Sequence, residues 1–286
     1  MKILITGAHG QLGRALQHRL SDDPDICIVP TDTDTLDITD REAIGPFLAG
    51  AGFDVIINCA AYTAVDLAEK HDLLASRINT EAVRYLAEAA RKYRIRVIHI
   101  STDYVFSGDN CRPYAESDEP YPHSIYGRTK LEGEGVLTAF CPDSVILRTS
   151  WLYSEHGNNF VRTMLRLADE KPEVRVVCDQ IGTPTYAGDL ADAIYSILKS
   201  EKWVSGIFNF TNEGVASWYD FAKAIFRYAG RNDVKVVPIP SSEYRTAATR
   251  PLYSILNKAK IKRVYGLDIP YWHDSLRRCI SNLSKS

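Results

Sequence analysis

The chain has 286 residues, of which 45% are hydrophobic and 24% charged, and its 34 basic and 36 acidic residues give a net charge of −2. This is the composition of a folded globular protein that holds one large domain or two unequal ones. Because no long run of one charge sign occurs, the sequence predicts no nucleic-acid partner. No stretch approaches the roughly 20 apolar residues that span a bilayer, and the apolar run at residues 1–7 is too short for a signal peptide. We therefore expect no membrane partner and a cytoplasmic location.

Six cysteines are scattered along the chain without a CxxC pair. Their spacing matches neither a zinc site nor a disulfide framework. We predict that they are buried, reduced thiols.

In the first half, short apolar runs alternate with helical patterns, which is typical of βαβ units and a parallel sheet. Strands are predicted at residues 2–6, 26–30, 54–60, 96–101 and 144–148. Helices are predicted at residues 11–20, 41–48 and 75–93, the second with Thr39 or Asp40 as its N-cap. The fold class that follows is α/β, with a Rossmann-type doubly wound parallel sheet.

Beyond residue 150 the pattern is looser. Helices are predicted at residues 159–168, 189–199 and 218–229, and shorter strands at 175–177 and 207–211. We interpret residues 1–150 as a dinucleotide-binding Rossmann core. Residues 151–286 are predicted to form a smaller, mainly substrate-binding lobe that is partly interleaved with the core.

The segment between the first strand and the first helix carries three glycines, Gly7, Gly10 and Gly13. A dinucleotide site needs a sharp turn, a close approach of backbone to the pyrophosphate and tight packing of the helix on the sheet, and glycine serves all three. The helix N-terminus then presents N–H groups to the phosphates. The spacing is GxxGxxG and differs from the common GxGxxG, so position between strand and helix carries the prediction.

An acidic residue near the end of the second strand is expected to meet the adenosine ribose, and Asp32 lies there. Its carboxylate would accept hydrogen bonds from the ribose hydroxyls and repel a 2′-phosphate, which favours NADH over NADPH. Asp34 is a rival, and Asp32 could also be a simple turn residue. Asp37 and Ile38 are candidates for the adenine pocket, although Asp37 could equally cap a helix. The segment 60–62 (Ala60, Ala61, Tyr62) would let a cofactor approach, or its alanines serve packing alone.

Three Tyr–x–x–x–Lys pairs occur, beginning at Tyr126, Tyr195 and Tyr219. This spacing places the phenol and the ammonium on one face of a helix. Only Tyr126 comes one segment after an apolar strand that ends in hydroxyl residues, at 100–103. Ligands of doubly wound sheets gather beyond the carboxyl ends of the strands. The pair formed by Tyr126 and Lys130 is therefore the candidate for catalysis.

Reduction of a ketone needs a hydride on carbon and a proton on oxygen. A phenol with a pKa of about 10 is a poor partner near neutral pH, and a nearby ammonium lowers that pKa. Lys130 could do this for Tyr126 while it also binds the nicotinamide ribose. The hydroxyl of Thr102 would hold the carbonyl oxygen.

These residues lie in segments that together resemble the extended short-chain dehydrogenase/reductase superfamily and, more narrowly, its dTDP-4-dehydrorhamnose reductase family. The segments are TGAHGQLG, HISTDYVF, YGRTK and ILRTSWLY, with NCAAYTAVDLAE, GNNFVRTML, DQIGTPTYAGDLA and RPLYSIL in colinear positions. The resemblance implies an NADH- or NADPH-dependent reduction of dTDP-4-dehydro-β-L-rhamnose to dTDP-L-rhamnose.

The resemblance also implies roles for individual residues. It assigns Thr102, Tyr126 and Lys130 to catalysis, and it places Asp103 and Trp151 at the sugar, although core packing would also explain Trp151. Expected cofactor contacts are Gly7, Gly10, Gln11, Leu12, Gly13, Asp32, Asp37, Ile38, Ala60, Ala61, Tyr62, Tyr126 and Lys130. Candidate diphosphate contacts are Arg162 and Arg250, and residues 179–180 and 183–185 are candidates for the base pocket.

One position departs from the pattern. Some members of the family form a magnesium-bridged dimer through a glutamate that corresponds to Ala15 in this chain. Because such a metal needs oxygen ligands, we expect no metal and a monomer or weak homodimer.

Two alternatives remain open. One is another nucleotide-sugar dehydrogenase, dehydratase, reductase or epimerase on the same scaffold. The other is a non-catalytic dinucleotide-binding protein like the regulatory subunit of methionine adenosyltransferase. The complete set of Thr102, Tyr126 and Lys130 favours catalysis, because a binding module has no need of it.

Overall fold

The computed structural model describes residues 1–284. Its strands are β1 (Lys2–Thr6), β2 (Cys27–Thr31), β3 (Val55–Asn58), β4 (Arg96–Thr102), β5 (Val145–Thr149), β6 (Leu152–Tyr153), β7 (Glu173–Val177), β8 (Ile181–Gly182), β9 (Thr185–Tyr186), β10 (Gly206–Asn209), β11 (Ala216–Ser217) and β12 (Lys235–Ile239).

Its helices are α1 (Gln11–Ser21), α2 (Arg41–Leu48), α3 (Val65–Ala68), α4 (Asp72–Ser76), α5 (Ala82–Tyr93), α6 (Ile125–Phe140), α7 (Phe160–Glu170), α8 (Ala187–Lys199), α9 (Trp218–Tyr228), α10 (Ala259–Tyr265) and α11 (Trp272–Leu283). A π-helical turn (Arg77–Glu81) joins α4 to α5, and a 3-10 turn (Asp103–Val105) follows β4.

The main sheet has six parallel strands in the order β10–β5–β4–β3–β1–β2. The chain starts at β1, adds the edge strand β2 on one side of it and then crosses back to β3 on the other side. Such a reversal opens a crevice at the carboxyl ends of the strands. The predicted Rossmann-type α/β fold is thus confirmed.

Helices cover both faces of the sheet, which is why its central strands are apolar on both sides. All five residues of β5 and all four of β3 are buried. On one face α1 packs against α8, and on the other α5 packs against α2 and α6. The helix predicted at 41–48 is α2, and Asp40 is its N-cap, because its carboxylate accepts the N–H groups of Glu42 and Ala43.

A second apolar core lies in the C-terminal part of the chain. It gathers side chains from α7, α9 and α11, with Phe221, Trp272 and Leu276 at its centre. Strand β10 and helix α8, both beyond residue 150, nevertheless belong to the main sheet layer. The boundary at residue 150 stays a prediction, and Lys285 and Ser286 of the predicted lobe lie outside the described residues.

The predicted helix at 75–93 is interrupted by the π-helical turn (Arg77–Glu81), which carries the buried Asn79. The amide of Asn79 accepts the N–H of Tyr62 at 2.9 Å and donates to the Tyr62 carbonyl at 3.2 Å and to Thr129 Oγ1 at 3.1 Å. A π-bulge inside a helix often marks a functional position. Here it fixes the loop after β3 against α6.

All six cysteines are free thiols, but the prediction that all are buried is wrong. Cys27 is exposed because β2 is the edge strand of the sheet, and Cys111 is exposed in the loop after the 3-10 turn. Across residues 1–284 no helix combines the length and the apolar character needed to cross a bilayer.

Candidate active site

A cavity of about 1030 Å³ opens at the carboxyl ends of β1, β3 and β4. This is the upper end of the range for ligand sites, large enough for a dinucleotide and a second molecule. The predicted site residues that line it are Gly7, Gly10, Gln11, Leu12, Gly13, Asp32, Asp37, Ile38, Ala60, Ala61, Thr102, Asp103, Tyr126, Lys130 and Trp151.

The glycine turn is shaped by close approach of backbone to backbone. Gly7 has φ +64°, and a Cβ there would lie 2.7 Å from the amide nitrogen of Ala60. A Cβ on Gly13 would lie 2.7 Å from Cα of Ala8. These glycines bring α1 onto the sheet and open its N-terminus toward the cavity, as a bound pyrophosphate requires. The residues present therefore fit a dinucleotide.

Replacing Gly13 with Ala is expected to weaken dinucleotide binding about tenfold or more. The added methyl group forces the turn apart, and overpacking of this kind costs roughly 1–3 kcal/mol, of which about 1.4 kcal/mol corresponds to tenfold in affinity. Fluorescence titration with NADH measures it. Gly135→Ala is the matched control, since a Cβ on that helical glycine meets nothing within 4 Å. Equal affinities for the two variants would contradict the role of the turn.

Asp32 is tied to the same turn. Its Oδ2 accepts the N–H of His9 and its Oδ1 accepts the N–H of Thr33, both at 2.9 Å. The side chain remains 22% exposed, so a ribose hydroxyl can reach it. Asp34 is not among the lining residues. Asp37 lines the cavity while its Oδ1 accepts the N–H of Thr39 at 2.8 Å.

Gln11 connects the turn to a segment of the second half, residues 154–159. Its Oε1 accepts hydrogen bonds from Ser154 Oγ at 3.3 Å and from Asn159 Nδ2 at 3.0 Å. Gly157 and Asn158 of that segment also line the cavity. The two halves of the chain therefore enclose one site.

Tyr62 lies apart from the other predicted contacts. Its N–H is held by Asn79, and its hydroxyl lies 3.4 Å from Nδ1 of His71. Ala60 and Ala61 line the cavity, whereas Tyr62 does not. Asn79, which binds both the N–H and the carbonyl of Tyr62, holds this residue away from the cavity.

Tyr126 lies in the first turn of α6, whose N-cap is Ser124, with Oγ accepting the N–H of Gly127 at 3.1 Å. The Thr102 side chain is a hydrogen-bond partner of the Tyr126 phenol, and the ring of Tyr104 meets the Tyr126 ring edge-on at 5.5 Å. Burial raises the pKa of Tyr126 above its usual range. This direction is opposite to the lowering that we predicted from Lys130.

Lys130 explains the difference, because its Nζ is turned toward β4. Its Nζ donates to the carbonyl of Ile100 at 2.6 Å and lies 3.3 Å from Nε2 of His99. The side chain is 2% exposed, and burial lowers the pKa of Lys130 to about 8.

Asp103 is buried beside Thr102, whose Oγ1 donates to its Oδ1 at 3.0 Å. Burial raises the pKa of Asp103 to about 7. Ser254 is a second hydrogen-bond partner of this carboxyl. Because Asp103 lines the cavity, it can also form a hydrogen bond with a sugar hydroxyl.

Arg250 is the candidate diphosphate contact that the structure brings to the cavity. Its guanidinium binds Asp66 Oδ2 at 2.5 Å and the Tyr104 hydroxyl at 3.3 Å, and its buried Nε has no partner. Arg162 is elsewhere and donates to the carbonyl of Glu155. Residues 179–180 and 183–185 are likewise not among the lining residues.

Trp151 adopts the left-handed conformation, with φ +49°, which is strained for a bulky residue. Its indole stacks on that of Trp218, with centroids 3.6 Å apart and planes 9° from parallel. Gly182 also lies against the indole, and a Cβ there would come 2.6 Å from Trp151 Cε2. Strain of this kind concentrates at functional sites. Trp218 also lines the cavity and was not identified from the sequence, which marks it only as the first residue of a helix.

Sequence reasoning also missed the buried ion pair of Glu134 and Arg148. Arg148 Nε and Nη2 donate to the two carboxylate oxygens of Glu134 at 2.9 and 2.6 Å, and Ser101 Oγ donates to Oε1 at 2.5 Å. Two signals were available. Glu134 follows Tyr126 and Lys130 at the same helical spacing, and an arginine inside the apolar run of β5 needs a buried partner.

Within residues 1–284 no group of three or more His, Cys, Asp or Glu side chains is placed to hold a metal ion. Ala15 packs against the apolar core beneath α1. The oligomeric state stays a prediction.

A doubly wound sheet, a glycine turn on its first helix and a Tyr–Lys helix facing that turn define a dinucleotide-binding protein of the short-chain dehydrogenase/reductase type. The model of the RmlD substrate binding domain family matches residues 1–285, and the chain belongs to that family.

Known proteins are similar to this chain in sequence over almost its whole length. A dTDP-4-dehydrorhamnose reductase of Aggregatibacter actinomycetemcomitans is 43% identical, with 96% of this chain and 97% of that protein covered. A probable dTDP-4,6-dihydroxy-2-methyloxan-3-one 4-ketoreductase of Streptomyces antibioticus is 40% identical, with 99% and 96% covered. A crystal structure of dTDP-4-dehydrorhamnose reductase from Bacillus anthracis in complex with NADP is 41% identical, with TM-score 0.94 and 98% and 99% covered. The resemblance drawn from the sequence is confirmed.

Proposed function

We propose that this chain is an NAD(P)H-dependent reductase that converts dTDP-4-dehydro-β-L-rhamnose to dTDP-L-rhamnose in the cytoplasm. The observation that carries the proposal is that the glycine turn, Thr102, Tyr126 and Trp151 all line the same cavity. The names of two relatives, one from Aggregatibacter actinomycetemcomitans and one from Bacillus anthracis, support this substrate and the NADP cofactor.

The chain's own residues perform binding and proton transfer. The glycine turn would hold the diphosphate of the dinucleotide. When bound, the reduced dinucleotide supplies the hydride. With substrate bound, the Thr102 hydroxyl turns its proton from Asp103 Oδ1 to the keto oxygen and holds that oxygen beside the Tyr126 phenol. Tyr126 gives its proton to that oxygen as negative charge develops there. Lys130, one helical turn further along α6, returns a proton to Tyr126.

Trp151 and Arg250 position the substrate. The face of Trp151 is fixed by Trp218 behind it, and an aromatic face packs well on a sugar ring. Arg250 lines the cavity with 25% of its side chain exposed, and its guanidinium can bind the nucleotide diphosphate. Asp103, beside Thr102, can form a hydrogen bond with a sugar hydroxyl.

Both NADH and NADPH are proposed as cofactors. Asp32 disfavours a 2′-phosphate by its charge. However, two backbone N–H groups already hold its carboxylate, which disperses that charge. The relative solved with NADP supports use of the phosphorylated dinucleotide.

The direct test follows oxidation of NADH and of NADPH by absorbance, with dTDP-4-dehydro-L-rhamnose formed in the assay. Oxidation that depends on the sugar and yields dTDP-L-rhamnose supports the proposal. The name of the relative from Streptomyces antibioticus suggests an alternative substrate, dTDP-4,6-dihydroxy-2-methyloxan-3-one, which should be assayed in parallel. If the protein binds the dinucleotide but oxidises neither NADH nor NADPH with either sugar, the proposal that it is a reductase is contradicted.

Replacing Gly182 with Ala is expected to raise KM for the keto sugar about tenfold, with little change in dinucleotide affinity. The added methyl group displaces the Trp151 indole, and about 1.4 kcal/mol of lost contact is a factor of ten. Steady-state kinetics with each substrate varied measure the split. An unchanged KM for the sugar would separate Trp151 from substrate binding.

A further inference from the structure

A row of buried polar side chains crosses three adjacent strands beneath the catalytic helix. In the sheet register Thr6 of β1 pairs with Asn58 of β3, and Asn58 pairs with His99 of β4. Thr6, Asn58 and His99 are each no more than 1% exposed, and Lys130 of α6 ends the row. Hydrogen bonds link Asn58 Nδ2 to His99 Nδ1 at 3.1 Å and His99 Nε2 to Lys130 Nζ at 3.3 Å.

The orientation of the Asn58 amide is determined by its other contacts. Its Oδ1 accepts the backbone N–H of Ala60 at 3.2 Å and the hydroxyl of Thr6 at 2.7 Å. A backbone N–H can only donate, so the oxygen of Asn58 must lie on that side. The NH₂ group of Asn58 therefore points at His99 and donates to Nδ1, which must carry a lone pair.

His99 is uncharged in this position. Burial lowers the pKa of His99 well below its usual range. A neutral imidazole carries one proton, and because Nδ1 accepts, that proton is on Nε2. The Nε2–H bond of His99 is thus directed at Lys130.

Lys130 in turn needs a lone pair to accept this bond, and an ammonium has none. A neutral amine satisfies both neighbours, because it donates to the carbonyl of Ile100 at 2.6 Å and accepts from His99. Burial of Lys130 acts in the same direction. The other titratable groups around its amine are the thiol of Cys59, the carboxylate of Glu134 and, bound to Glu134, the guanidinium of Arg148.

These neighbours do not cancel the effects of burial and of His99, which both favour the neutral amine. Burial raises the pKa of Cys59 to about 12, so it is an uncharged thiol. The carboxylate of Glu134 favours the ammonium, but both its oxygens are bound by Arg148, which offsets its charge.

We propose that His99 is a positioning residue whose Nε2–H donates to Nζ of Lys130 when this amine is neutral, and that this bond stabilises the neutral form against β4. Protonation of Lys130 then requires its Nζ to leave His99, so its charge and its position change together. For the reductase, on whose proposed function this step rests, the lysine is a ready proton donor to Tyr126 once it has moved.

Nuclear magnetic resonance of the full-length, ¹⁵N-histidine-labelled protein tests the arrangement directly. The chain has seven histidines, and the spectrum of a His99→Leu variant assigns the signal of His99. We expect the Nε2–H tautomer, unchanged between pH 5.5 and 8.5. An Nδ1–H tautomer or an imidazolium in this range would overturn the proposal.

Asn58→Asp tests the cause of the tautomer at nearly constant shape. A carboxylate only accepts, so Nδ1 of His99 must become the donor. We expect the spectrum at pH 8.5 to change to the Nδ1–H form. An unchanged Nε2–H signal would show that Asn58 does not set the tautomer, and the proposed arrangement would fall.

The pH dependence of kcat gives a readout that loss of packing alone does not move. The rate should fall as pH rises through the pKa of Lys130. Removing the Nε2–H donor by His99→Leu should shift that alkaline limb upward by about half to one pH unit, the size of one net hydrogen bond. A slower variant with an unmoved limb contradicts the proposal. Lack of any sugar reduction by the unmodified protein would instead refute the proposed function and leave the tautomer measurement valid.

Discussion

Tyr126→Phe is expected to lower kcat for keto-sugar reduction by about 10²–10⁴-fold, the usual contribution of a positioned general acid. Removing one hydroxyl deletes the proton donor while the ring keeps its edge-on contact with Tyr104 at 5.5 Å. The glycine turn that binds the dinucleotide is untouched, so affinity for NADH should stay within about twofold of the unmodified protein, a difference of roughly 0.4 kcal/mol. Stopped-flow or steady-state oxidation, paired with a binding titration, measures both quantities.

The chain supplies a matched control in Tyr219→Phe. Tyr219 and Lys223 repeat the spacing of Tyr126 and Lys130, but they lie on α9 and line a second pocket, and neither lines the cavity. We expect that variant to retain full activity. Near-normal turnover by Tyr126→Phe would remove Tyr126 from the mechanism, whatever the control shows.

Much of the fold follows from the sequence because its core elements are regular. Strand β1 and helix α2 begin and end where the apolar periodicity places them, at Lys2–Thr6 and Arg41–Leu48. A strand buried on both faces leaves a continuous apolar run, and a helix on the sheet leaves a periodic one. Helix α6 was not predicted from periodicity; a helix at Tyr126 was inferred only from the Tyr–x–x–x–Lys spacing and the strand before it, and α6 brings Tyr126 beside Thr102.

The features of the site that the sequence did not predict depend on contacts between distant segments of the chain. The direction of the Lys130 side chain depends on His99, 31 positions earlier in the chain, and this spacing has no sequence signature. Trp218 stacks on Trp151 although it lies 67 positions later in the chain. Tyr62 turns away because Asn79, placed by a π-helical turn, holds its backbone. Such contacts are set by tertiary packing, which local patterns do not encode.

Arg148→Met is expected to lower the free energy of unfolding by about 3–5 kcal/mol, the cost of leaving a buried charge without its partner. Glu134 and Arg148 are only 3% and 2% exposed, so water cannot replace the lost guanidinium. Against a typical total of about 5–15 kcal/mol this is a large loss. Urea unfolding followed by circular dichroism measures it, and a loss below about 1 kcal/mol, as at exposed pairs, would contradict the expectation.

The double variant Glu134→Gln with Arg148→Met separates charge from packing. It removes both charges, so it should recover more than half of the stability lost by Arg148→Met alone. The pair also links α6 to β5, and α6 carries Tyr126 and Lys130 on the face that bears Glu134. We therefore expect the double variant to fold yet remain slower than the unmodified protein, because the helix loses its charged anchor to the sheet. Recovery of stability together with full activity would show that packing alone positions the catalytic helix.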